Sequence, residues 1–173
     1  MKRIVVGLVL LWSCATVQAQ AVSEQLAKIG DEAKEKISKE MPGWACRSIE
    51  PIEGSKNVII QHWELGDIAV KIAIAQWDTE ANAAQALADL KNHLRLQEKA
   101  AKANQDRKLQ LIKEDLPGVG DEGYAVDIRG SEGVAFRKGV FLVNISVPRP
   151  DGNKDVFFSR QFAHHVFKAL QDK

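Results

Sequence analysis

Two polar residues in a strand-like segment are of types that carry out proton transfer. His62 and Glu64 are separated by one residue in VIIQHWEL, and side chains at this spacing point to the same face of a strand. A histidine beside a carboxylate can work as a general acid–base pair. A small enzyme is therefore one hypothesis, although a solvent-facing strand explains the pair as well, and the sequence favours a protein without catalytic activity.

Motifs for metal binding and for nucleophilic catalysis are absent from the sequence. There is no Gly-x-Ser-x-Gly elbow, HExxH, CxxC or EF-hand loop. His164 and His165 are adjacent, and neighbouring side chains diverge by about 100° on a helix. His62 with Glu64 lacks a third ligand at a recognisable spacing, so the pair does not make a zinc site. We predict neither a metal nor a cofactor.

A glycine-rich segment, GVGDEG at 118–123, invites comparison with phosphate-binding loops. It lacks the Lys-Ser/Thr end of a P-loop, and its glycine spacing differs from that of a dinucleotide-binding loop. Asp121 and Glu122 would also repel a phosphate. We interpret the segment as a turn whose glycines adopt positive φ.

Three tryptophans are candidates for contacting a ligand or a partner. Trp44, Trp63 and Trp77 flank the first three strand-like segments, and large aromatic side chains often anchor partners in pockets or interfaces. Trp63 has the strand parity of Ile59 and Leu65, which favours a core position. Trp77 lies where a strand meets a helix and can close the end of the core. We expect Trp44 to be partly exposed.

The first 19 residues are typical of a secretory signal peptide. Lys2 and Arg3 precede an apolar run over 4–12, and small residues lead to a cleavage site after Ala19. The run is too short for a permanent transmembrane helix, which needs roughly 20 residues. We predict a periplasmic or secreted protein, with residues 20–173 forming one domain.

A second processing route remains open. The segment LWSC at 11–14 resembles a bacterial lipobox, in which Cys14 would become a lipid-anchored N-terminus. Trp12 fits that pattern poorly, so cleavage after Ala19 is preferred and lipid anchoring through Cys14 is the alternative. Both routes lead out of the cytoplasm.

Charge and cysteine content narrow the choice of partners. The chain has 24 basic and 23 acidic residues, and loss of Lys2 and Arg3 leaves 22 against 23, a net charge of about −1. This balance argues against a nucleic acid or an anionic membrane surface as a partner. Cleavage also removes Cys14, so Cys46 cannot form an intramolecular disulfide. We expect a buried thiol at Cys46; an intermolecular disulfide or a reactive thiol is the alternative.

Apolar periodicity predicts helix, three strands, helix, three strands, helix. Predicted helices cover 22–39, a segment from Asp78 or Thr79 to about 104, and a segment starting at Asp155. Predicted strands cover 44–52, 58–65, 68–77, 124–128, 133–137 and 140–147, with 109–112 left open between strand and linker. The pattern predicts an α+β fold with an antiparallel sheet of about five to six strands in two three-strand groups, packed against two to three helices. Whether the groups form one sheet or two is left open.

The segment LPGVGDEGYAVDIRGSEGVAFRKGVFLVNISV resembles small exported bacterial lipoprotein and sensor-type domains with a PsbP/Mog1-like layout. The resemblance covers about a fifth of the chain, over 118–147, and Gly123 stands where alanine is usual. It implies export and an α/β layout, and those domains are mostly non-catalytic with varied ligands. The matching residues are Gly118, Gly120, Asp121, Glu122 and Tyr124 in the turn, and Arg137, Lys138, Gly139, Val143 and Ile145 in the hairpin.

Together these observations favour a non-catalytic, exported domain that binds a partner protein or an apolar small ligand in the bacterial cell envelope. Binding would use the groove between helix and sheet, or a sheet face left uncovered. Two alternatives remain: a small periplasmic enzyme using His62 and Glu64, and a structural envelope component that forms a homodimer through Cys46.

Overall fold

The computed structural model describes residues 22–103, 112–128, 131–148 and 158–171. The predicted signal peptide, Cys14 and Asp155 lie outside these ranges. The described helices are α1 (Glu24–Glu40), α2 (Glu80–Ala103) and α3 (Phe158–Leu170). The described strands are β1 (Ala45–Pro51), β2 (Val58–Leu65), β3 (Ile68–Gln76), β4 (Ile112–Asp115), β5 (Glu122–Ile128), β6 (Ser131–Lys138) and β7 (Phe141–Pro148).

Capping side chains set where the first two helices begin. Ser23 Oγ accepts a hydrogen bond of 3.1 Å from the backbone N–H of Leu26, so α1 begins at Glu24 rather than at 22. Thr79 Oγ accepts the equivalent bond from Asn82, and α2 begins at the next residue. No helix in the described part of the chain is long and apolar enough to cross a membrane.

All seven described strands belong to one antiparallel sheet with the order β1-β2-β3-β7-β6-β5-β4. The two three-strand groups are joined by β3 and β7, where Ile72 pairs with Ile145. The predicted α+β fold is confirmed, and the predicted meander of β1 to β3 is present. β4 is the additional strand; it extends from Ile112, at the end of the segment left open between strand and linker.

The inner face of the sheet, which carries Ile59 and Trp63, is covered by α1 and α3 and forms the main core. Trp63 is fully buried, in agreement with its strand parity. Trp44 is 8% exposed, so the expectation that it is partly exposed is wrong. Phe162 of α3 covers both indoles with edge contacts, at centroid distances of 4.8 Å for Trp44 and 5.7 Å for Trp63.

The outer face of the sheet, which carries His62 and Tyr124, is covered over only part of its width. α2 contacts β4, β6 and β7, and its buried Leu87 and Leu94 pack with Tyr124, Val126 and Ala135 in a second core. On the β2–β3 side, outward side chains remain half-buried or exposed. The outer face therefore changes from covered to uncovered beside β7.

Candidate functional site

A pocket of about 110 Å³ lies between α2 and the outer face, and we call it the α2 pocket. Leu90 and Leu94 of α2 line one side, and Tyr124 and Val126 of β5 line the sheet side. Strands β6 and β7 add further lining residues: Ser131, Glu132, Gly133, Ala135, Asn144 and Ser146. The pocket thus has an apolar lining on the α2 and β5 side and polar side chains on the β7 side, where the uncovered part of the outer face begins.

Tyr124 brings an unsatisfied polar group to this pocket. The residue is fully buried, and its hydroxyl makes no hydrogen bond to any described residue. Burial raises the pKa of Tyr124, and the nearby charge of Glu122 raises it further, so the phenol stays protonated and can donate. Buried polar groups nearly always have a partner, and this hydroxyl has no surface accessible to water, so a partner atom would reach it only after the surrounding side chains shift.

A charged pair, Lys91 and Asp115, lies beside the Tyr124 ring on its solvent side. Lys91 Nζ of α2 lies 5.4 Å from the centroid of the Tyr124 ring and donates a 2.6 Å hydrogen bond to Asp115 Oδ1. This hydrogen bond from Lys91 lowers the pKa of Asp115. The pair thus links α2 to the end of β4 across the tyrosine ring.

The side chain of Glu132 is held on the inner side of the sheet. Glu132 has the strand parity of Val134 and Phe136, which belong to the inner core, and its carboxylate accepts a hydrogen bond from the hydroxyl of the fully buried Ser159 of α3. Glu132 therefore lines the α2 pocket through its backbone.

His62 and Glu64 share the outer face but not the α2 pocket. His62 pairs with Lys71, which pairs with Ser146 at the pocket wall, so His62 lies two strands away. Glu64 Oε2 accepts a 2.6 Å hydrogen bond from Arg47 Nε on β1. No three described His, Cys, Asp or Glu side chains are grouped to hold a metal ion. The acid–base role of this pair stays a hypothesis.

The other predicted site residues are spread over the molecule. Trp44 and Trp63 belong to the inner core, whereas Trp77 is 39% exposed at the end of β3. Cys46 is half-buried against the inner core, and its Sγ lies 3.6 Å from the carbonyl oxygen of Ser48. Burial raises the pKa of the Cys46 thiol. The binding roles of the tryptophans stay predictions.

The sequence placed Tyr124 in the turn motif and at the start of a predicted strand, but it did not identify Tyr124 as a residue that lines a pocket. The available signal was its alternation with Ala125 and Val126 in β5, which puts Tyr124 and Val126 on one face. That pattern does not show which helix covers the face. The leucines that complete the pocket come from α2, far earlier in the chain.

Comparison with known proteins assigns no family. No family model matches the chain, and no curated protein matches it. A crystal structure described as that of a GTP binding regulator from Thermotoga maritima is similar with a TM-score of 0.43 and 13% sequence identity. The match covers 82% of this chain and 87% of that chain.

Proposed function

We propose that this protein is a non-catalytic, exported domain of the bacterial cell envelope whose α2 pocket binds a small apolar ligand carrying one hydrogen-bonding atom. The observation that carries the proposal is the Tyr124 hydroxyl, which is buried beside an apolar pocket with no partner among the described residues. A ligand oxygen or nitrogen would accept a hydrogen bond from this hydroxyl after the side chains around it shift, while the rest of the ligand contacts Leu90, Leu94 and Val126.

The size of the pocket limits the ligand. Drug-sized molecules occupy sites of roughly 300–1,000 Å³, whereas an apolar cavity of about 150 Å³ binds benzene. At about 110 Å³, the α2 pocket suits a single ring or a branched alkyl group. An apolar side chain of a partner protein has the same chemistry, and free small molecules as probes separate the two cases.

Export is the second part of the proposal and rests on the sequence. The basic start, the apolar run and the site at Ala19 support cleavage into the periplasm. The segment 118–147 resembles exported domains with a PsbP/Mog1-like layout, and an antiparallel sheet with helices on both faces is compatible with that layout. Membership of that group is part of the proposal.

The test compares two probes that differ in one polar atom, benzyl alcohol and toluene, by NMR titration of residues 20–173. We expect saturable shifts at amides around Leu94 and Tyr124 for both, with tighter binding of benzyl alcohol. Tyr124→Phe should reduce the affinity for benzyl alcohol roughly two- to tenfold, the value of one net hydrogen bond, and leave toluene unchanged. The variant should fold at least as stably, since its hydroxyl has no partner to lose.

Blocking the pocket supplies the decisive comparison. Ser146→Leu places an alkyl group at the pocket wall, and Ser48→Leu is the matched control. Ser48 pairs with His62 in the same cross-strand row but lies three strands from β7 by register. Ser146→Leu should abolish probe binding and Ser48→Leu should preserve it. The proposal fails if neither probe gives saturable shifts, or if both variants bind equally.

A further inference from the structure

A second concave surface lies at the end of the sheet where β3 stops, and we call it the Trp77 groove. It has a volume of about 560 Å³, and Trp77, which is 39% exposed, is its one aromatic side chain. Apart from Trp77 and Val140, its lining residues are polar: Ser23, Gln25, Lys56, Asn57, Gln76 and Asp78. This surface thus presents one large, exposed aromatic side chain surrounded by polar groups.

The backbone around the Trp77 groove is fixed by hydrogen bonds between distant segments. The N–H of Trp77 donates to the carbonyl oxygen of Val140 at 2.9 Å, and the N–H of Gln76 donates to that of Asn57 at 2.8 Å. These bonds join the end of β3 to the β6–β7 turn and to the segment before β2. The backbone that carries the indole is therefore ordered before a ligand binds, which reduces the conformational entropy lost on binding.

The amide side chains of the groove are also ordered. Ser23 Oγ donates to Gln76 Oε1 at 2.5 Å, and Gln76 Nε2 donates to Gln25 Oε1 at 2.8 Å. The Gln25 NH₂ group is the last group in this series of hydrogen bonds and donates to no other member of it. The side chains of Asn57 and Asp78 make no hydrogen bond to another described residue, so donors and acceptors remain available beside the indole.

We infer that the Trp77 groove binds a saccharide. A sugar ring has one apolar face of C–H groups, which stacks on an aromatic ring, and a rim of hydroxyls that both donate and accept hydrogen bonds. The indole of Trp77 matches the apolar face. The amides of Gln25 and Asn57 and the carboxylate of Asp78 match the hydroxyl rim.

Two other ligand classes fit this lining less well. A nucleotide would also stack on Trp77, but its phosphates need net positive charge, and the charges of Lys56 and Asp78 cancel. The centre of a protein interface is depleted of charged residues and rich in apolar ones, whereas six of the eight residues lining this groove are polar.

The inference is tested by NMR titration of residues 20–173 with glucose, galactose, N-acetylglucosamine and chitobiose. Indole N–H signals report directly, because residues 20–173 contain three of the four tryptophans, of which Trp44 and Trp63 are buried. At least one sugar should shift the Trp77 indole saturably, leaving the other two unchanged. Trp77→Ala should weaken binding roughly tenfold or more, while Trp77→Phe should retain part of it, since a smaller ring still stacks.

Two further variants complete the design. Asn57→Ala should weaken sugar binding severalfold, because it removes hydrogen-bonding groups from the rim. Ile52→Ala is the matched control, since Ile52 is 40% exposed and lies outside the groove lining; it should change nothing. No saturable shift with any of the four sugars, or equal affinity in wild type and Trp77→Ala, would overturn the inference. Neither result affects the α2 pocket, which shares no residue with the groove.

Discussion

At the residue scale, Gly120 shows why the glycine-rich loop has its composition. Its φ is +75°, and a Cβ at this position would collide with the carbonyl oxygen of Arg137. The next residue, Asp121, uses this close approach to donate its backbone N–H to the same oxygen at 2.7 Å. Its carboxylate accepts hydrogen bonds from Lys138 and from the N–H of Gly139. The acidic loop thus organises the β6–β7 hairpin.

Gly120→Ala should therefore destabilise the fold through two effects. Left-handed backbone strain costs about 1–2 kcal/mol, and overpacking against backbone costs about 1–3 kcal/mol more. Gly54→Ala is the matched control, because Gly54 has φ +77° with no atom within 4 Å of the added Cβ. Urea unfolding should show a loss of about 2–5 kcal/mol for Gly120→Ala and of the backbone strain alone for Gly54→Ala. Equal losses would refute the steric explanation.

The sequence predicted the backbone conformation of this loop correctly at two of its glycines. The positive φ expected of the loop glycines is present at Gly118 and Gly120. Gly123 instead allows close packing, since a Cβ added to it would lie 2.8 Å from Cβ of Phe136.

Gln61 is fully buried between Ile59 and Trp63 on the inner face, and strand alternation alone does not identify its partners.

The partners of Gln61 come from another element, which explains why sequence reasoning did not find them. Its Nε2 donates to the carbonyl oxygen of Gly30 in α1 at 2.7 Å, and its Oε1 accepts from Trp63 Nε1 at 2.9 Å. A polar side chain is stable in the core only when such partners exist. They depend on how α1 lies on the sheet, which is a tertiary property.

At the element scale, the helices of the inner face are joined at their exposed ends by a small charged group. Glu40 Oε2 at the end of α1 lies 3.1 Å from His165 Nδ1 and 3.2 Å from Lys168 Nζ, both in α3. Burial lowers the pKa of His165; the carboxylate of Glu40 opposes this, and His164 and Lys168 add to it. The hydrogen bond from Lys168 lowers the pKa of Glu40.

This arrangement predicts a pH dependence of stability. Because the pKa of His165 is below its ordinary value of 6.5 in the folded chain, the unfolded chain binds more protons as the pH falls from 7.5 to 5.5. Stability should then decrease with falling pH. The wild-type Tm should drop over this range, and the drop should be smaller in His165→Gln. His93→Gln, at an exposed position on α2, is the control and should follow the wild type. A wild-type drop retained in full by His165→Gln would contradict the assignment to His165.

Periodicity located the long elements well and the short one poorly. The apolar stripe of α1 and the alternation of β2 and β3 predicted their ranges to within two residues. β4 has four residues, too few for either period to be recognised. Its existence depends on pairing with β5, where Ile112 lies opposite Val126.

At the scale of the whole molecule, the sheet is completed by the contact between β3 and β7. The strands come from opposite sides of α2 in the chain, and the pairing of Ile74 with Val143 makes one sheet of the two groups. Each group alone was predictable from short connections. The joining of the groups was not, because pairing between distant segments leaves no local pattern in the sequence.

We expect the mature protein to begin at Gln20 and to keep a free thiol at Cys46. Every described residue follows Ala19, so the predicted cleavage leaves the described structure whole. Cys46 is half-buried, and burial raises the pKa of its thiol, so little of the reactive thiolate is present at neutral pH. Both features oppose formation of an intermolecular disulfide.

Native mass spectrometry of the protein released from the periplasm, without reducing agent, measures the cleavage site, the oligomeric state and any bound ligand in one experiment. The expected spectrum has the mass of residues 20–173, and Cys46→Ser should give the same monomer. A dimer that separates on reduction and is absent from Cys46→Ser would establish a homodimer linked by a Cys46 disulfide instead. A species retained in the membrane fraction and beginning at a lipid-modified Cys14 would establish the lipoprotein. A monomer with additional mass that is lost in Ser146→Leu would identify a natural ligand of the α2 pocket.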